Sequence, residues 1–436
     1  MRPGAAPCIR PKRWRRRYCR GAPRSGAGRL ARGTGFLRTP WHTSTTLDIR
    51  TLKGCRGFLA PPAGAPCRGP LPGCDLCRDI NTRDAYSWLI SFHRSAVWFM
   101  LRQYIEKRER FLHGRDDNRK SLPFDWGLDH LGIHANGNAN TALQDYVSHA
   151  LQDSSAFYAY EPGAEYDFDG TILKFPSAIE TPYPENNTVW GRFFDAGKDL
   201  AVVVLPQWNC KWDGQVQLCR VLQRAGIASL RLSLPYHHHR KPAHLERAEY
   251  LVSSNIGRTL MAIRQAVLDS RRAADWLVAR GYRRIGVLGT SVGSCIGFLT
   301  FAHDERFSIG AFIHVSSFFA DVVWNGLSTK HVRQSLESAV DLQQLRFLWS
   351  PISPHPFIKR LRGTTRKILT VSGRYDMSFL PELSQQAYDE LDRCGISHNR
   401  LWLPCGHYTM GQFPFSAIVG YQVVRFLASG LFRPNH

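Results

Sequence analysis

Long apolar runs are missing from this 436-residue sequence. Its most apolar short pieces, such as Ser95 to Leu101, fall far short of the roughly 20 consecutive apolar residues that a membrane-crossing helix requires. A helical membrane span is therefore excluded. Acidic residues are nearly absent at one end: Met1 to Cys74 holds sixteen Lys or Arg and a single acid, Asp48. That stretch accounts for +15 of the net charge of +22, and the rest of the chain carries the ordinary balance of a soluble enzyme, so no nucleic-acid partner is expected. No apolar segment follows the Arg-rich run from Arg13 to Arg17, which argues against a secretory signal.

The eleven cysteines lack the even, close spacing of a disulfide framework. Cys219 and Cys295 fall inside expected helices and Cys405 at the end of a strand, which points to a reducing, cytoplasmic compartment. Among Cys55, Cys67, Cys74 and Cys77 only one pair has metal-ligand spacing, so no metal is expected there.

Three regions are expected. Residues 1–78, rich in Arg, Gly, Ala and Pro and without periodicity, predict a disordered basic head, read as a solvated tail without function, a targeting peptide, a tail for anionic surfaces or sequence upstream of a truer start. Residues 79–168 predict a helical extension, with Trp88, Phe92, Val97, Leu101, Tyr104, Ile105, Phe111 and Leu112 at three- and four-residue steps and basic residues between them. Its stripe is expected to pack on the neighbouring domain, with peripheral contact to a membrane surface as the alternative. From residue 169 to 436, apolar strand-like runs alternate with helical stretches. This is the pattern of an α/β fold with a mostly parallel, doubly wound sheet. The runs are Leu200 to Leu205, Ile227 to Leu234, Ile285 to Leu288, Ile309 to Val315, Lys367 to Val371 and Leu401 to Leu403. An irregular, aromatic-rich insertion at about 318–357 interrupts them in the position of a cap.

The stretch Gly289-Thr290-Ser291-Val292-Gly293 stands between an expected strand and an expected apolar helix. A serine on so sharp a turn is lifted out of the top of the sheet, and glycines on either side remove side chains that would strike the neighbouring strand or helix. The five letters alone are a weak sign, and the strand before and helix after strengthen it. A serine hydroxyl is a poor nucleophile and needs a base within hydrogen-bond reach and an acid to orient that base. In a parallel sheet such groups come from the carboxyl ends of strands. Asp376 and His407 both follow expected strands, in the order Ser, Asp, His. Asp321, beyond the preceding strand, is the rival acid.

From about Asp169 onward the chain resembles the α/β-hydrolase superfamily, on Gly289-Thr290-Ser291-Val292-Gly293, Asp376 and Gly406-His407. The resemblance implies that Ser291 is the nucleophile, His407 the general base and then acid, and Asp376 the group holding the imidazole. It further implies a serine hydrolase without metal or organic cofactor, acting on carboxylic esters, lipid or other apolar acyl esters among them. Amide and thioester cleavage use the same machinery, and a non-catalytic binding protein of the same fold is the alternative. The oxyanion hole needs two backbone N–H donors. Val292 follows the nucleophile, and Trp208 is chosen by its place in the loop Pro206-Gln207-Trp208-Asn209, which lacks the His-Gly of many family members. Tyr236 to Lys241, with His237 among three adjacent histidines, is expected to form a basic lip, and together with Pro242 it bears a weaker similarity to lipid-deacylase abhydrolase-domain proteins. Phe318, Phe319 and Trp324 of the insertion are expected to line an apolar acyl pocket.

Overall fold

The structure, a computed structural model, describes residues 82–116, 118–134, 137–197 and 200–431. The expectations for residues 1–78, the four-cysteine cluster included, lie outside the described residues. The described residues form one compact unit.

Three helices precede the sheet: α1 (Thr82–Gly114), α2 (Ala139–Gln152) and the single turn α3 (Ser154–Phe157). Then come β1 (Asp167–Phe168), β2 (Ile172–Pro176), β3 (Thr188–Phe194), β4 (Leu200–Leu205), α4 (Val216–Arg224), β5 (Ala228–Leu232), α5 (Ile256–Ala279), β6 (Arg284–Thr290), α6 (Val292–His303) and β7 (Phe307–Ile313). Three short helices, α7 (Phe319–Asn325), α8 (Lys330–Leu336) and α9 (Leu342–Leu348), lead to β8 (Lys367–Gly373), α10 (Pro381–Arg393), β9 (Asn399–Leu403) and α11 (Phe415–Leu431). The nine strands form one sheet in the order β1-β2-β3-β5-β4-β6-β7-β8-β9. The pairs from β1 through β3 to β5 are antiparallel, and every pair from β5 to β9 is parallel.

Why β4 sits at the centre follows from its composition. All six residues of Leu200–Leu205 are buried, and successive side chains of a strand point to opposite faces. Ala201, Val203 and Leu205 join one core with α5 and α6; Leu200, Val202 and Val204 join the other with α4 and α11. A strand apolar on both faces is stable only between two helical layers.

Register then places the functional edge. Leu205 pairs with Gly289, Thr290 with Ile313, Ile313 with Val371, and Gly373 with Leu403. The carboxyl ends of β4, β6, β7, β8 and β9 therefore finish at one level, and the loops that follow them share one rim.

Two elements differ from the sequence expectation. The insertion after β7 is helical rather than irregular, and the Asp341 side chain caps α9 by accepting from the Gln344 N–H. On α1, Tyr104 and Phe111 are exposed, whereas Ile105 and Glu109 are buried. Among the described side chains of α1, the buried ones are Ile105 and Glu109, an i, i+4 pair of which one is an acid.

Candidate active site

Ser291 occupies the single residue between β6 and α6, with φ 58° and ψ −123°. A non-glycine residue held in this region is strained, and the surroundings over-determine it. Its N–H donates to the Ile313 carbonyl at 2.8 Å, and its carbonyl accepts from the Ser294 N–H at 2.8 Å. The glycines leave the room this turn needs. A Cβ at Gly289 would come within 2.6 Å of the Ser294 Cα, and one at Gly293 within 2.5 Å of the Pro206 carbonyl oxygen.

Ser291 Oγ lies 3.2 Å from His407 Nε2. His407 Nδ1 lies 3.3 Å from Asp376 Oδ2. The other oxygen of Asp376 accepts the backbone N–H groups of Ser378 and Phe379, each at 2.7 Å. Burial works against the Asp376 charge, but His407 and His314 outweigh it, and the carboxyl is held well below the usual carboxylate range. For His407 burial again opposes charge, yet Asp376 and Glu109 raise its pKa above the ordinary 6.5. Asp321 is elsewhere. It is buried against the guanidinium of Arg346, whose Nε donates to it at 2.9 Å.

A strained serine on the β6–α6 turn, a histidine after β9 and an acid after β8 now stand at the end of a sheet whose sixth to ninth strands run parallel. The chain has the α/β-hydrolase fold. Solved structures to which it is similar include two acetyl xylan esterases. The one from Paenibacillus sp. R4 is 15% identical, with 65% of this chain and 98% of that chain covered and a TM-score of 0.47. The one from Thermoanaerobacterium sp. JW/SL YS485 is also 15% identical, at 67% and 94% coverage and a TM-score of 0.47. An acylaminoacyl peptidase of Pyrococcus horikoshii is 12% identical, at 65% and 44% coverage and a TM-score of 0.45. No protein-family model and no curated protein matches the chain. The fold assignment rests on strand order and the β6–α6 turn.

Around this site, two further side chains that the sequence did not mark bear on the histidine: one meets its acid, and one holds the loop that follows it. His314, the first residue beyond β7, has φ 63° and is buried. Its Nδ1 lies 2.8 Å from Asp376 Oδ2, nearer than that of His407, and the two imidazole centroids are 4.2 Å apart. Burial, then the neighbouring His407, lowers the pKa of His314, which leaves it a neutral N–H donor. Its position just past a strand end was the available signal, obscured because the apolar run Ile309 to Val315 reads straight through it. Glu109 of α1 is the second; its carboxylate accepts the N–H groups of Tyr408 and Thr409 at 3.0 and 2.7 Å. His314, Asp376 and His407 are also, among the described residues, the set of metal-type donors within 4.8 Å of one another, and the bonds to Asp376 engage those same atoms.

The loop after β4 brings Trp208 to the serine. The Asn209 N–H is taken by His237 Nε2 at 2.9 Å and the Cys210 N–H by the Gln207 carbonyl, and neither bond involves the Trp208 amide. The Trp208 indole is anchored to the Ala248 carbonyl at 2.8 Å. Val292 opens α6, where first-turn amides have no partner inside the helix.

A cavity of about 70 Å³ extends from Ser291 and Val292 along Trp208, Phe298, Phe318, Phe319 and Val323. On the other side of Ser291 and His407 a wider cleft of about 970 Å³ carries Gln207, Arg119, Arg247 and Tyr421. Two of the expected lining residues are placed elsewhere. Trp324 is turned away from the apolar cavity, with the Arg333 guanidinium over its ring at 5.1 Å. His237 is buried behind the β4 loop, its Nδ1 on the Pro235 carbonyl at 2.9 Å, and burial drives its pKa down to about 3. Of the expected basic lip, His239 is exposed but Arg240 is turned inward. Arg240 is fully buried and forms an ion pair with Asp269 of α5 at 2.9 Å. A charge two turns past a strand reads as exposed in one dimension, and only the neighbouring helix supplies the acid that lets it sink.

Proposed function

We propose that this protein is a serine hydrolase that cleaves carboxylic esters of apolar acyl groups through an acyl-enzyme on Ser291. The observation that carries the reading is the continuous contact from Ser291 Oγ to His407 Nε2 to Asp376, on a serine held in a strained backbone conformation at the β6–α6 turn. In this reading the Ser291 proton passes to His407 Nε2 as Oγ bonds to the ester carbon. The imidazolium, held by Asp376, then returns that proton to the departing alkoxide as the C–O bond breaks. Water repeats the sequence: its proton goes to Nε2, its oxygen takes the acyl carbon, and Ser291 leaves with the proton. The Val292 and Trp208 amides receive the oxyanion, each worth about 2.7 to 4 kcal/mol. The apolar cavity takes the acyl group and the wider cleft the alcohol side. A neutral, dry wall of Phe, Val and Trp favours such a group because burial contributes roughly 25 cal/mol per Å² of apolar surface.

The test is labelling with a fluorophosphonate together with turnover of p-nitrophenyl esters and the matching anilides. Wild type labels and hydrolyses the esters; Ser291→Ala does neither, losing kcat by roughly 10⁶-fold. Equal labelling of the two proteins would remove Ser291 as nucleophile, and faster turnover of the anilides would move the activity to amides.

A further inference from the structure

We propose that Glu109 is a second carboxylate serving His407: it reaches from the N-terminal helix α1 to fix the loop that bears the imidazole and lends it negative charge. The inference rests on the reading of His407 as the base of Ser291.

Four observations support it. Glu109 is fully buried, and among the described residues no Lys or Arg forms an ion pair with it. A carboxylate in that situation is costly and is retained where something uses it. Its two oxygens accept two successive backbone N–H groups, Tyr408 to Oε2 and Thr409 to Oε1, which are the residues directly after His407. That pattern suits a carboxylate alone, because an amide in its place would turn one NH₂ against an N–H. The residue directly before His407 is Gly406, where a Cβ would lie 2.6 Å from Glu109 Cγ and 2.7 Å from Oε1. The loop is therefore shaped around this one side chain on both sides of the histidine. Next to it, Arg108 Nε donates to Gln412 Oε1 at 3.3 Å and His113 Nδ1 meets the Tyr408 hydroxyl at 3.2 Å, so one stretch of α1 follows the whole loop.

The charges that face this pocket are few. From α1 come Glu109, Arg108 and His113, the last held neutral by burial, with its pKa near 4. The loop adds His407, Cys405 and Tyr408, with Arg119 and Asp116 acting on Tyr408. Asp376 arrives from the end of β8 and the neutral His314 from the end of β7. When Ser291 gives up its proton, the new imidazolium is thus bracketed by two carboxylates, one on Nδ1 and one beneath the loop. Burial raises the Glu109 pKa, the bonds from Tyr408 and Thr409 oppose that rise, and protonation of His407 favours the Glu109 anion.

The experiment compares wild type, Glu109→Gln and Glu109→Asp by pH profiles of kcat and kcat/KM and by NMR titration of the His407 ring. Glu109→Gln is expected to move the acid limb and the ring titration to lower pH, and to reduce kcat about 10- to 100-fold with KM little changed. Glu109→Asp keeps the charge but not the reach, so its titration stays near wild type while its kcat falls. Wild-type titration and kcat in a folded Glu109→Gln, accompanied only by lower thermal stability, would reduce Glu109 to a tether and overturn the proposal. Should Glu109→Gln fail to fold, Glu109→Asp decides alone: wild-type kcat in that variant overturns the proposal as well. The ring titration does not depend on turnover. A wild type that hydrolyses no ester would therefore refute the esterase reading without deciding this one.

Discussion

Asp376 accepts four hydrogen bonds, and their distribution decides what each neighbour can do. Oδ1 is fully used by the Ser378 and Phe379 amides, so Oδ2 alone faces the two imidazoles. Replacing Asp376 by Asn keeps an acceptor for the amides and turns NH₂ toward His407 and His314, which forces the wrong tautomer on the base. Asp376→Asn is expected to lower kcat by about 10⁴-fold while fluorophosphonate labelling slows in proportion; labelling at the wild-type rate would count against the role of Asp376. The pH dependence follows in sign. His407 must be neutral to take a proton, and its pKa is raised above 6.5, so kcat/KM falls as pH drops through a value above that of a free imidazole. A profile flat down to pH 6 would contradict it.

At the scale of elements, a buried ion pair joins the loop after β5 to α5. Arg240 donates to the Asn186 and Ser233 carbonyls and pairs with Asp269, and both members of the ion pair are buried. Removing one partner strands a buried charge, which costs about 3 to 5 kcal/mol, far more than the pair itself contributes. Asp269→Ala should therefore lower the urea midpoint sharply, and Arg240→Met combined with Asp269→Leu should recover most of the loss. A single variant as stable as wild type would show that water reaches Arg240. The same element logic accounts for α1. Its contact with the His407 loop runs through Glu109, and two aromatic residues that a periodicity count marks as part of a stripe, Tyr104 and Phe111, stay outside.

Across the whole molecule, the apolar cavity beside Ser291 is assembled from pieces far apart in the chain: Trp208 after β4, Val292 and Phe298 of α6, Phe318 after β7, Val323 of α7 and Phe379 after β8. It is compact. An apolar cavity of roughly 150 Å³ is enough for benzene, so a space of about 70 Å³ suits short acyl groups. Esters with acyl chains of about two to four carbons should be cleaved faster than long-chain esters, and Phe298→Ala should extend the accepted length. A preference for long chains in wild type would mean that the cap of α7 to α9 opens when substrate binds. Among the described residues no helix is long and apolar enough to cross a membrane.

Much of this was legible in one dimension, for a physical reason in each case. Helix and strand alternation, the all-apolar β4, the glycines around Ser291 and the placement of Asp376 and His407 after strands are local properties, written in residue type and spacing. Short-range sterics and the two-sided burial of a parallel strand admit few other outcomes. What tertiary structure alone decided is which distant groups meet. Sheet register brings His314 onto Asp376, α5 draws Arg240 inward, the packing of the insertion turns Trp324 away, and a helix some 300 residues upstream carries Glu109 to the base of the His407 loop. Contacts across such separations depend on the three-dimensional path of the chain, which no local pattern encodes.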